Sequence, residues 1–419
     1  MTNHAATRIE QVVRDSYGRL LALLASRCGD ISTAEDALGD AFIAALESWP
    51  NQGVPDHPDA WLMTAAKHRL IDQSRRSQTR ERAVELLLRE AELKQDRTMD
   101  AVETDYPDER LRLMLVCTHP AIDPAVRTPL ILQTVLGVTA DRIASVFMVK
   151  PSAMGARLGR AKSKIRDARI PFVIPSSEEL PSRLTSLLEA IYAAFTIGLD
   201  LEGLGASSGL KREAIWLASI VVQRLECTQA AEDSTTAFSL AESEALLAMM
   251  LFRAARDQPT GQSRRYIPLS EQPTNHWNEK QIHQAEVWLR KAARTHQVGP
   301  YQLEAAIQSV HCERRRTGRT NWQAIEHLYQ GLLKLNPTAA TRIGLASAQY
   351  HCGEPQAALQ TLEGVPDSFR VHSASYWAVS AFAHRALNSQ HESNSCYDRA
   401  IGLTESETVR AWLLQQRSG

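Results

Sequence analysis

The sequence predicts an all-α protein in three parts: two small helical domains, the second holding a helix-turn-helix, and a C-terminal array of helix pairs. Three observations carry this expectation. Apolar residues recur at three- and four-residue intervals along most of the 419 residues, the period of a helix buried on one side. Strand signals, which would alternate apolar and polar residues between turns, are absent. An acidic, aromatic-poor stretch ending at Tyr106-Pro107 and a proline-bounded stretch around 170–181 divide the chain into parts.

The first helix spans 8–28, with Ile9, Val12, Val13, Tyr17, Leu20, Leu21 and Leu24 on one face and Cys28-Gly29-Asp30 as its end. A second starts at Ser32, with Glu35 three residues on as a capping box. Its apolar face is Leu38, Ala41, Phe42, Ala45 and Trp49; Glu35, Asp36, Asp40 and Glu47 lie opposite. Three prolines and a glycine make 48–59 a loop. A third helix begins near Pro58 and carries Trp61, Leu62, Ala65, Ala66 and Leu70. It becomes basic from Lys67 to Arg82, with six Lys or Arg against two acids. These helices form a domain ending near residue 77.

The ordered set Ala34-Glu-Asp-Ala-Leu-Gly-Asp-Ala-Phe42, Ala60-Trp-Leu62 and Lys67-His-Arg-Leu-Ile-Asp72 with Arg75-Arg76 resembles region two of bacterial sigma factors of the extracytoplasmic-function (ECF) class. The resemblance implies that Glu35, Asp36, Leu38, Asp40 and Phe42 dock on the beta-prime clamp helices of core RNA polymerase. It further implies that Asn51, Gln52, Trp61, Lys67, His68, Arg69, Arg75 and Arg76 contact and open the promoter −10 element. Trp61 also sits on the apolar stripe, so core packing competes with base stacking as its role. Lys67-His68 stands where many family members carry asparagine, and imidazole offers different donors and acceptors from a carboxamide.

Residues 78–107 read as an acidic linker, with a marginal helix over 80–93. The second domain, 108–170, opens on a helix around Arg110–Val116. The next helix has two candidate starts, Asp123-Pro124 and Thr128-Pro129. Thr139–Phe147, a turn at 148–150 and a long helix from Pro151 to Ala168 have helix-turn-helix spacing. Ile143, Ala144, Phe147, Val149, Met154 and Leu158 are its expected interior. Seven Lys or Arg between Lys150 and Arg169, against one Asp, suit phosphate contacts. This segment resembles sigma region four, which implies contact with the polymerase beta flap and with the −35 element through Lys150, Ser152, Arg157, Arg160, Lys162 and Lys164. Ala153, Gly155, Ala156 and Gly159 on the recognition helix are too small to reach base edges. The expected readout therefore leans on DNA shape.

After a linker at 171–182, helical spacing resumes in 183–419. Helices are expected around Leu184–Leu199, Ile215–Leu225, Leu240–Arg256, Glu279–Thr295 and Gly299–Arg315, with a polar loop at 258–278. Arg314-Arg-Arg316 and Arg319 read as a solvated loop. From Asn321 onward the helix pairs look like degenerate tetratricopeptide (TPR) repeats, with Gly353 and Ser389 spaced 36 apart. Trp277, Gly299-Pro-Tyr301, Ala305-Ala-Ile307 and Asn321-Trp322 resemble the long helical tail of one ECF subgroup. The resemblance implies a tail that regulates in cis and receives a regulatory protein or ligand.

A net charge of −1 confines any nucleic-acid-binding surface to local patches. Six dispersed cysteines without a C-x-x-C pair fit core cysteines of a reduced, cytoplasmic protein, and neither a metal nor a cofactor is expected. The first 19 residues lack an apolar core, and no run reaches the roughly 18 apolar residues of a membrane span. Nucleophile elbow and phosphate loop are missing, so no enzymatic activity is expected. The expected protein binds core RNA polymerase and promoter DNA to start transcription. The alternatives are a polymerase-independent helix-turn-helix regulator and a TPR scaffold.

Overall fold

The computed structural model describes residues 16–76, 106–176, 178–203, 209–227, 234–257 and 266–418, and among them every regular element is helical. The chain forms two compact units, one within 1–198 and 208–221, the other within 199–207 and 222–419.

The first unit opens on α1 (16–28), which buries Leu20, Leu21, Leu24 and Ala25. Gly29, at φ +68°, closes it by donating its amide to the Ala25 carbonyl at 2.8 Å. α2 (Ile31–Gln52) follows at once. Its cap is Asp30, not the expected Ser32: one carboxylate oxygen accepts from Ser32 N at 3.1 Å, the other from Thr33 Oγ1 at 2.6 Å. A carboxylate satisfies two donors at a helix N-terminus where a hydroxyl serves one. The helix also continues through Pro50, beyond the predicted loop boundary. A proline so near the end forfeits one backbone bond, and Gly53 N still reaches Trp49 O at 3.0 Å. α3 (Pro58–Arg76) begins at the expected proline and packs on α2. The rings of Trp49 and Trp61 meet edge-on at 5.5 Å.

The expected linker at 78–107 and its marginal helix lie outside the described residues, except that Tyr106 and Pro107 begin α4 (Tyr106–Cys117). Of the two starts open for α5 (Pro124–Thr134), Asp123 is the cap, accepting from Ala125 N at 3.0 Å. Pro129 lies inside that helix and is buried. Thr139 caps α6 (Ala140–Val146), and Met148 at φ +52° makes the turn into α7 (Pro151–Asp167). Ile143, Ala144, Met154 and Leu158 are buried as expected, with Phe147 and Val149 half-buried.

The division between the compact units lies beyond residue 183. α8 (Leu180–Gly203) and the first half of α9 (Leu210–Cys227) belong mostly to the first unit. Arg183 donates to Leu115 O at 3.4 Å, and Thr128 Oγ1 to Ser186 O at 3.5 Å. Arg110, 7% exposed, pairs with Glu213 and lies over the Trp216 ring at 5.0 Å. Lys211 backs so closely on Gly198 that a Cβ there would meet its amide nitrogen at 2.7 Å.

In the second unit α10 (Ser234–Ala254) is the core helix. By length and composition it is apolar enough to cross a membrane, but 78% of its most apolar window is buried inside the fold. α11 (Glu279–Ala292) and α12 (Pro300–Thr317) surround it. The basic run 314–316 is the last turn of α12, which corrects its reading as a solvated loop. Arg314 donates to Leu269 O and Gln272 O and lies over Trp277; Arg315 donates to Thr274 O at 2.7 Å. These contacts tie the segment 266–278, where regular structure is limited to the 3-10 turn Thr274–His276, to the end of α12. The remaining helices are α13 (Trp322–Leu335), α14 (Ala339–His351), α15 (Pro355–Glu363), the single turn α16 (Asp367–Arg370), α17 (Ala374–Ala386), α18 (Gln390–Leu403) and α19 (Glu407–Ser418). Gly353 (φ +87°) and Asn388 (φ +59°) turn the chain after α14 and α17.

Candidate nucleic-acid interface

The outer face of α2 is set by its buried one. Ile31, Ala34, Ala37, Leu38, Ala41, Ala45 and Trp49 go inward. Helical spacing therefore sends Asp36, Gly39, Asp40, Ile43, Leu46 and Glu47 outward, and all are exposed. Of the residues expected to touch polymerase, Asp36 and Asp40 are on this face and Phe42 is half-buried. Leu38 is not: at 0% exposure it is core and presents no side-chain surface to a partner. Ile43 (55% exposed) and Leu46 (51%) were missed by the sequence reading. The signal was present, because Asp36, Asp40, Ile43 and Glu47 are spaced along one helical stripe. Two large apolar side chains among carboxylates give a surface suited to a protein partner carrying basic and apolar groups.

The end of α2 and the start of α3 carry the expected −10 contacts. Asn51 and Gln52 are exposed in the last turn of α2, which Gly53 ends at φ +86°. Trp61 is half-buried against Trp49, so one ring edge packs while part of the ring stays accessible. His68 and Arg69 are exposed and Lys67 is half-buried. Arg75 and Arg76 lie on the helical backbone of α3, and their side chains fall outside the described set. α1 and α3 are joined by an Arg19–Asp59 ion pair.

α7 presents Ser152, Ala153, Gly155, Ala156, Arg157, Gly159, Arg160 and Lys164 to the outside, and Lys150 is exposed at its cap. A Cβ built at Gly155 or Gly159 meets nothing within 4 Å. This face admits close approach of a flat surface and offers two arginines and lysines to phosphates. Lys162 departs from the expectation. It is 8% exposed and points inward, its Nζ donating to both carboxylate oxygens of Glu35 at 2.7 and 2.6 Å. One expected DNA contact and one expected polymerase contact are thus spent on each other. Burial raises the Glu35 carboxyl above its ordinary range, opposed by the Lys162 charge. Burial, aided by the Glu35 charge, likewise raises Tyr17. Cys117, near the same pair, is pushed up to about 12 by burial. It is an inert core thiol.

Residues 12–80 match the sigma-70 region 2 family, and residues 183–293 match a family of unknown function (DUF6596). An uncharacterized protein of Rhizobium meliloti (strain 1021) is 31% identical over 393 residues, which cover 92% of this chain and 90% of the relative. The chain belongs to that protein's family. This family member carries at its N-terminus a sigma-70 region 2, made of α1, α2 and α3, which gives it a sigma-factor-like role in transcription initiation with core RNA polymerase and promoter DNA as partners. The DUF6596 segment of the same family member begins in α8 and ends beyond α11, so it includes the helices that pack on α4 and α5. No solved structure matches the chain.

Proposed function

We propose that the protein is an ECF-type sigma factor whose α7 supplies −35 recognition in the manner of region four, and whose helical extension, TPR-like from Asn321 onward, regulates it in cis. The observation that carries this reading is the outward stripe Asp36–Asp40–Ile43–Leu46 in the same compact unit as a helix-turn-helix with an exposed basic face. The stripe engages the clamp helices, α3 and the preceding turn engage the −10 element, and the small residues of α7 let the DNA backbone approach while Arg157, Arg160 and Lys164 neutralise phosphates. Cis-regulation is supported by the docking of α8 and α9 on α4 and α5 through Arg183, Thr128 and the Arg110–Glu213 pair.

Single-round transcription in vitro with sigma-free core polymerase tests the proposal. The full-length protein should produce specific transcripts, and the Asp36→Ala, Asp40→Ala double variant should produce none. Transcription that persists at full level with both carboxylates removed would falsify this assignment of the stripe.

A further inference from the structure

A row of aromatic and histidine rings crosses the second unit outside its core. His311 of α12 meets Trp322 of α13 edge-on at 5.5 Å, and Trp322 stacks on His351 of α14 at 3.9 Å. The row continues through Tyr350, beside His351 at 5.1 Å, to Phe382 of α17 (5.8 Å) and Trp412 of α19 (5.9 Å). None of these rings is buried, and His351 is exposed. Aromatic side chains left together at a surface suit a contact face.

One segment of the chain reaches both ends of this row. Tyr266 meets Trp412 edge-on at 5.2 Å. Three residues later begins the stretch whose carbonyls Arg314 and Arg315 hold, one turn beyond His311 on α12. The two ends of the segment are held differently. Trp277 is buried beneath Arg314, whereas Tyr266 is 36% exposed and Ile267, Pro268 and Leu269 are half-buried. Arg314 faces neutral carbonyls, and among the described residues no carboxylate pairs with it. Arg256, whose charge acts with that of Arg314 on His311, donates to Gln308 and Cys312, again without a carboxylate. A planar guanidinium takes a carboxylate through two charge-assisted bonds, a better match than a pair of carbonyls.

We propose that 266–272 is the displaceable occupant of a peptide-binding face, and that this face takes an acidic segment of a partner protein with an aromatic residue three positions before a carboxylate. The partner's ring replaces Tyr266 on Trp412, and its carboxylate replaces the Leu269 and Gln272 carbonyls on Arg314. Trp277 stays in place. The face lies within the helical extension, so its occupancy is measured without polymerase or promoter and is independent of the sigma-factor reading.

Fluorescence anisotropy with the full-length protein tests this. The probe is a labelled, C-terminally amidated heptapeptide of residues 266–272 carrying Leu269→Glu; the control peptide carries Leu269→Gln. The Tyr266→Ala protein, which lacks the competing ring, should bind the probe at least about tenfold more tightly than the wild type. The control should bind that variant at least about fivefold more weakly than the probe does. Adding Trp412→Ala should remove the gain. Hydrogen exchange of the wild type serves should a variant fail to fold. Saturating probe should speed exchange of the Glu271 and Gln272 amides, which donate to Pro268 O, and leave that of Trp277 unchanged. Equal affinity of wild type and Tyr266→Ala for the probe would overturn the proposal, as would equal binding of probe and control. Exchange at 271 and 272 that saturating probe leaves unmoved would overturn it too, and so would a single-stranded oligonucleotide that displaces the probe at equal concentration.

Discussion

Glu242 and Glu244 sit two residues apart on the core helix α10, each 6% exposed, and each is pushed up to about 7 by burial. Glu242 accepts from the amides of Tyr301 (3.0 Å) and Gln302 (3.2 Å) and so caps α12; Gly299 leaves room for it, since a Cβ there would lie 2.1 Å from its carboxyl carbon. A carboxyl whose folded-state pKa exceeds its unfolded one contributes stability at acid pH, and that contribution is lost as pH climbs from the ordinary carboxylate range through about 7. His311 acts oppositely. Burial and neighbouring cations push it down to about 3, so its contribution is present above the ordinary imidazole range and lost on acidification. Between about pH 6 and 7.5 the glutamates dominate. The melting temperature of the wild type should fall across that window, and the Glu242→Gln, Glu244→Gln double variant should flatten the slope. A slope unchanged by the double substitution, in thermal denaturation, would rule this out.

At the scale of an element, α2 separates contact from core within a few residues. Leu38 is fully buried, and Asp36 and Asp40 are on the opposite side. Leu38→Ala should therefore cost about 2–5 kcal/mol of stability through the cavity it leaves. Asp36→Ala with Asp40→Ala should change stability by less than about 0.5 kcal/mol yet abolish polymerase binding. Chemical denaturation beside a polymerase pull-down distinguishes the two classes; a strongly destabilised carboxylate variant would mean that the stripe is structural. The acidic and apolar stripes of α2 were legible in the sequence, because a 3.6-residue period fixes which side chains share a face. Its cap was not legible, because Asp30 and Ser32 both suit an N-cap and their competition is decided by donor geometry. α19 escaped notice because only Leu413 of its residues is buried, which leaves a short helix with a weak apolar pattern.

At the scale of the whole molecule, the first compact unit is larger than region 2 and the helix-turn-helix together, since α8 and the start of α9 complete it. Arg110 is the joint: burial lowers its pKa, and Glu213 and Trp216 are what compensate the buried guanidinium. Removing the carboxylate by Glu213→Ala should cost about 3 kcal/mol, while replacing both partners, Arg110→Met with Glu213→Leu, should recover most of it. Denaturant unfolding of the three proteins decides this. A single variant as stable as the wild type would mean that the pair is ornamental. If the pair is needed, an extension from residue 183 onward is inseparable from the helix-turn-helix, and a truncation at Ser182 would expose the apolar face that α8 covers.

The amino-acid sequence by itself determined the all-helical class, the ordered region 2 pattern and the outward acids of α2, because helical period, proline position and local charge are properties of neighbours along the chain. It could not decide that Lys162 faces Glu35 rather than phosphate, that the backbone at Gly18 meets that at Val135, or that Arg110 is matched by Glu213. Each of these joins residues separated by about a hundred positions or more, and only the tertiary packing brings them within reach.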